Sequence, residues 1–244
     1  MKRLIFTTLL IALSSNLFAQ RPETARNDFY LGFGGGMHFS MVDFVPTILQ
    51  TQRLGIQGGI AATFISTEFT GGTTRVGIVG ELNFSQRGWI VEFDLENPNF
   101  EGFAFNRTLN YIDFPFMTHV NVGRRNVRFI ANAGPQIGLF LGDSQSISPE
   151  LTNFMTENAQ ETDRGTFAYR IRYQSSSPIT RVDYGIIGGM GLQVRTVAGH
   201  FNLEGRYYFG LGDIFENRRA RDMLFSRSAH RVIQVRLTYF MRMN

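Results

Sequence analysis

The chain has 244 residues, is 43% hydrophobic, and carries 24 basic against 20 acidic residues with no cysteine. Without cysteine it has no disulfide framework and no thiolate metal site, so hydrogen bonding and burial must hold the fold. No apolar run reaches the length needed to cross a bilayer as a helix, which excludes a helical membrane protein.

Lys2 and Arg3, the short apolar stretch Leu4 to Leu13, and the segment Leu17-Phe18-Ala19-Gln20 predict an export signal over residues 1–19. A polar leader over 20–27 and one domain over 28–244 follow. Loss of Lys2 and Arg3 lowers the formal net charge from +4 to about +2. The remaining basic residues are all arginine and are scattered, with no aromatic-interleaved stripe, so no nucleic-acid interface is expected.

Eight segments then alternate apolar and polar with a period of two, the signature of strands with one greasy face. The first, about Phe29 to Met41, puts Phe29, Leu31, Phe33, Met37 and Phe39 on one face and His38 and Ser40 on the other. The second, about Leu54 to Ile65, places Leu54, Ile56, Ile60 and Phe64 together. The third, Arg75 to Gln86, opposes Val76, Ile78, Leu82 and Phe84 to Glu81, Asn83 and Ser85. The fourth, Leu109 to Val122, opposes Ile112, Phe114, Phe116 and Val120 to Tyr111, Asp113, His119 and Asn121. The fifth, Asn126 to Leu141, turns Arg128, Asn132 and Gln136 to the polar face. The sixth, Arg181 to Arg195, does so with Asp183 and Gln193, and the seventh, His200 to Gly210, with Glu204, Arg206 and Tyr208. The eighth, Arg231 to Met241, does so with Gln234, Arg236 and Thr238.

Connection lengths alternate as well. Val42–Arg53, Arg87–Thr108, Gly142–Thr180 and Leu211–His230 are long; Ser66–Thr74, Gly123–Arg125 and Thr196–Gly199 are short. Outer-membrane barrels have short periplasmic turns and long outer loops. The pattern therefore predicts an all-β, eight-stranded, antiparallel up-and-down transmembrane barrel with lipid on its greasy face and both termini periplasmic. Trp89, Tyr111, Tyr184 and Phe209 are expected at the outer membrane interface, and Phe64, Phe129, Phe201 and Tyr239 at the inner one.

Several stretches carry a resemblance. Gly32-Phe33-Gly34-Gly35-Gly36-Met37-His38-Phe39-Ser40, Gly80-Glu81-Leu82-Asn83-Phe84-Ser85-Gln86-Arg87-Gly88-Trp89 and Tyr111-Ile112-Asp113-Phe114-Pro115-Phe116 resemble the PorT-type outer-membrane β-barrels of Bacteroidota. Ala133-Gly134-Pro135-Gln136-Ile137-Gly138, Asp183-Tyr184-Gly185-Ile186-Ile187-Gly188-Gly189 and Glu204-Gly205-Arg206-Tyr207-Tyr208-Phe209-Gly210-Leu211 do so in the same order. The resemblance implies a component of the type IX secretion system, needed for export of proteases and adhesins with a C-terminal signal, with other secretion-system proteins as partners. The chain departs from the common barrel ending on an aromatic residue, closing instead with Phe240-Met241-Arg242-Met243-Asn244. A structural or adhesion-type barrel without a secretion role is the alternative.

Glu81, Asp113, Arg128, Asp183, Glu204, Arg206 and Arg236 all face the expected lumen. Paired charges there would plug the barrel and fix its register, whereas an ion path would need a water column that eight strands do not leave. His38 and Ser40, with Asp183 at a similar height, raise a rim-active enzyme as a further alternative. A lone histidine is more often a hydrogen-bonded lumen residue, and no catalytic group, metal or cofactor is expected. Docking falls to the loops: an acidic one with Glu92, Asp94, Glu96 and Glu101, and a basic one with Arg218, Arg219, Arg221 and Arg227. These either pair with each other, meet lipopolysaccharide and lipid, or receive another surface protein; no small-molecule substrate is expected. The Ser-rich connection Gly142–Thr180 reads as a polar loop.

Overall fold

A computed structural model describes residues 28–69, 73–93, 100–123, 126–215 and 224–243, the side chains of 66–69 excepted. The export signal, the leader, Asp94, Glu96, Arg218, Arg219 and Arg221 lie outside the described residues.

Eight long strands pair antiparallel in chain order: β1 (Asp28–Val45), β2 (Arg53–Phe69), β3 (Thr74–Val91), β4 (Phe105–Val122), β5 (Val127–Ile147), β6 (Val182–Thr196), β7 (Gly199–Gly210) and β8 (Arg227–Arg242). β8 closes on β1 from Tyr30↔Arg242 to Val45↔Arg227, so the ring has no open edge. A register path runs from Phe29 through Phe64, Ile78, Thr118, Ala133, Gly188, Tyr207 and Ile233 and returns at Phe39. The return point lies ten residues further along the same strand. Eight strands with that stagger tilt by about 40° and enclose a lumen just wide enough for side chains.

Burial follows the expected alternation. Phe33, Met37, Ile60, Phe116, Ile186 and Met190 stand on the outer face at 55–63% exposure, while His38, Asn83, Asp113, Asn132, Glu204, Arg206 and Arg236 are buried inside. This is the inverse of a soluble core, and it is the arrangement that lipid outside and packed polar groups inside require.

The strands outrun the expected segments at the end that carries the long connections. β1 continues to Val45, β3 to Val91 and β5 to Ile147, while β4 begins at Phe105 and β8 at Arg227. An 18-residue strand spans about 60 Å, or about 45 Å along a tilted axis, well beyond an apolar band of about 25 Å. Past the band the hydropathy inverts. Val42, Phe44, Trp89, Val91, Phe105 and Leu109 turn inward and are buried, and Asp43, Asn106, Thr108 and Asn110 turn outward. Greasy-out alternation stops where lipid stops, so a search for greasy-out faces ends each strand too early.

The connection after β5 is ordered, contrary to the expected polar loop. It forms α1 (Pro149–Glu157) and α2 (Phe167–Ser176). Ser148 caps α1 by accepting from Leu151 N, with Pro149 and Glu150 in the first turn; Thr166 caps α2 by accepting from Tyr169 N. Leu151 and Ile171 drop into one apolar cluster with Phe44, Trp89, Phe105, Phe215 and Phe225. The helices thus cap the barrel end.

Candidate functional site

The site is built in layers along the lumen. Nearest the cap, the buried guanidinium of Arg87 on β3 bridges two carboxylates: Nη1 lies 2.6 Å from Asp183 Oδ2, and Nη2 pairs with Asp113 Oδ1. Tyr208 Oη donates to Asp183 over 2.9 Å and Ser85 Oγ to Asp113 over 2.5 Å. The rings of Tyr208 and Tyr111 stand 4.7 and 4.9 Å from the Arg87 carbon centre, so the cation is held by two faces as well as two anions.

The next layer centres on Arg206 of β7. Its guanidinium grips Glu81 of β3 with a two-pronged pair at 2.8 and 2.9 Å and reaches Glu204 at 2.7 Å. Asn83 donates to Glu81 over 2.8 Å and Asn132 donates to Glu204. Arg236 lies 3.8 Å from Glu81 and donates to Thr238 over 3.0 Å. Gly189 opposite is a spatial requirement: a Cβ there would sit 2.5 Å from Arg206 Cγ.

Towards the other end, Asn121, Gln193 and Asn202 form an amide chain at 2.6 and 3.1 Å, with Arg128 donating to Asn121 at 3.4 Å. At the mouth, Asp28 receives Arg75 at 2.6 Å and Arg242 at 2.7 Å. The predicted lumen residues are therefore all buried inside, but they separate into layers rather than one network. Glu81, Glu204, Arg206 and Arg236 meet; Asp113 and Asp183 meet through Arg87; Arg128 joins the amide chain at Asn121. Arg87 is not among the expected lumen residues, because it falls one position past the expected third strand, Arg75 to Gln86. Continuing the alternation one step from Ser85 would have placed it inside.

His38 and Ser40 are not assembled as a catalytic pair. His38 Nε2 donates to the Gln86 carbonyl; Ser40 Oγ donates to the Gly88 carbonyl at 2.9 Å and accepts from Gly88 N at 3.0 Å. Asp183 is engaged with Arg87 and Tyr208. The histidine and serine instead close a seam, since β1 and β2 stop pairing at Ser40↔Arg53. Above that point the Gln50 amide continues the closure by bonding Val42 N and Val42 O. Among the described residues no group of three or more His, Asp or Glu is placed to hold a metal ion.

The cap is fastened by Arg107 of β4. Its Nη1 donates to the Gln174 carbonyl, Nη2 reaches the Ser177 carbonyl at 3.5 Å, and Nε pairs with Asp143 at 2.8 Å. A cation on the last carbonyls of α2 complements the helix dipole. Trp89 Nε1 donates to Gln174 Oε1 over 3.0 Å. Trp89 and Tyr111 thus belong to the interior at 0 and 1% exposure, not to the interfacial belt where they were expected; Tyr184 and Phe209 do face outward. Of the charges expected on loops and within the described residues, Glu92 accepts from Thr51 Oγ1 at 3.3 Å and Glu101 is exposed, while Arg227 belongs to the start of β8 rather than to a loop and pairs with Asp43 at 3.2 Å.

A closed eight-stranded ring with a lipid-facing apolar surface and a packed polar lumen defines a small transmembrane barrel. Residues 18–216 match the model of the outer membrane protein beta-barrel domain, and the chain belongs to that family of the outer membrane. No curated protein matches the sequence. Among solved structures, the chain is similar to Ail, the attachment invasion locus protein of Yersinia pestis. That match has 12% identity, covers 87% of this chain and 98% of that one, and has a TM-score of 0.37. Neisserial surface protein A gives 10% identity, 87% and 96% coverage and a TM-score of 0.41. The outer membrane protease OmpT from Escherichia coli gives 9%, 91% and 96%, and 0.38.

Proposed function

We propose that this protein is a non-conducting outer-membrane barrel of structural or adhesion type, and that its helical cap is the part that meets other molecules. The observation that carries the reading is double closure. Charged layers centred on Arg87 and Arg206 fill the lumen, and an apolar cluster under α1 and α2 fills the end above them. Residues 1–19 act as the export signal in this reading, and both termini lie in the periplasm. The four long connections then face outward, among the headgroups of the outer leaflet and its lipopolysaccharide. The barrel supplies rigidity, and specificity resides in the loops. The side-chain atoms of His38 and Ser40 that bond are spent on backbone groups, so this reading gives the pair a structural role rather than rim chemistry. Photo-crosslinkers placed at the exposed cap positions Glu157 and Arg164 test it on intact cells: adducts to a surface or secreted protein support it. Adducts confined to lipid, with unchanged envelope integrity and cell attachment on deletion, would overturn it.

A second reading rests on the resemblance of collinear stretches to PorT-type barrels. In it the same cap or the periplasmic turns dock onto a protein-export machine, and the barrel is an accessory rather than the pore. Deletion would then trap C-terminal-signal cargo in the periplasm, where the first reading expects normal export.

A further inference from the structure

Beside α2 a cavity of about 280 Å³ opens between the cap and the connections after β1 and β3. Ile48, Leu49, Phe93, Phe100, Phe167 and Ile171 make its walls apolar. Two of its polar members are engaged: Gln174 holds the Trp89 indole and Glu92 accepts from Thr51. Its cation is Arg170. Among the described residues its guanidinium has no ion pair or hydrogen bond, and its Nε is buried without a partner. The guanidinium thus stands at the edge of an apolar recess with its donors unspent on protein, where a carboxylate would complement its charge.

We propose that this cavity binds a small carboxylate with an apolar body, the acid group on Arg170 and the chain among the phenylalanines. At roughly the 30 Å³ that a water-sized group occupies, 280 Å³ holds about nine such groups, the size of an eight-carbon fatty acid. Pockets that are mainly apolar with a few orienting polar groups are the usual form of small-ligand sites. The sequence alone pointed to no small-molecule partner, because Phe93, Phe100 and Phe167 come from two separate connections. The site stands apart from the docking role of the cap and does not depend on it.

Trp89 is the chain's only tryptophan and is hydrogen-bonded to Gln174 in the cavity wall, so its fluorescence senses occupancy through that residue. The full chain in lipid nanodiscs would be titrated with octanoate, octanol and octyltrimethylammonium. The proposal expects a saturable one-to-one change with octanoate, at least fivefold weaker binding of octanol, and no saturable response to the cation. Arg170→Gln should weaken octanoate at least fivefold while leaving octanol unchanged, and Arg170→Lys should restore most of the difference. Heat-modifiable gel mobility checks that each variant is folded. A linear, non-saturating response shared by all three amphiphiles, or equal octanoate binding by wild type and a folded Arg170→Gln, would overturn it.

Discussion

Arg87 on β3 and Asp183 on β6 meet across the lumen at 2.6 Å, joining strands that share no backbone pairing. The contact spans 96 positions of sequence and ties the two halves of the ring together. The same guanidinium holds Asp113, so its removal would leave two carboxylates facing each other without a cation. Arg87→Met should destabilise the folded barrel by about 3–5 kcal/mol, read as a lower urea midpoint for the heat-modifiable band. Adding Asp113→Asn and Asp183→Asn to that variant should recover much of the loss, since the buried charges then disappear together.

Gly189 marks the space that Arg206 occupies. Gly189→Ala forces the Arg206 stem aside and strains the two-pronged pair with Glu81. The expected cost is about 1–3 kcal/mol in the same unfolding assay. Gly205→Ala, where a Cβ meets nothing within 4 Å, should cost little.

The inversion of hydropathy along each strand predicts an asymmetric response to charge. Ile60 stands on the lipid face at 60% exposure, and Ile60→Arg should cost about 2–4 kcal/mol. Thr108 points the same way from the barrel but lies beyond the apolar band. Thr108→Arg should change stability by less than about 0.5 kcal/mol. Equal penalties at the two positions would mean that the band reaches higher than the change in hydropathy along the strands implies.

Arg107 holds the cap through backbone carbonyls at the end of α2. Arg107→Ala should free the helical connection without opening the ring. Limited proteolysis between α1 and α2 should then quicken several-fold, while the heat-modifiable shift of the barrel is retained. Loss of that shift together with cap protection would show that cap and barrel fold as one cooperative unit.

The membrane-level fold was legible because one physical rule, apolar to lipid and polar to lumen, governs every strand there. Leu54, Ile56, Ile60 and Phe64 could be assigned to one face from spacing alone, and so could Glu81 and Asp183. Above the band that rule reverses. Phe44, Trp89 and Phe105 then look misplaced, and Arg87 falls into a supposed loop. The helices carried local signals in Ser148-Pro149-Glu150 and Thr166, which were outweighed by the serine content around them. The layering of the lumen charges was not legible, because it depends on the ten-residue stagger that closes the ring. The cavity beside Arg170 depends likewise on how separate connections fold over one another.

The account turns on a lumen that is closed twice, by charge and by cap. Single-channel recording of the purified full chain in planar bilayers, in concentrated potassium chloride, tests this directly. No stable open level should appear, and Arg107→Ala should remain silent because the layers around Arg87 and Arg206 still fill the ring. A steady, ohmic conductance from the wild-type protein would contradict the account.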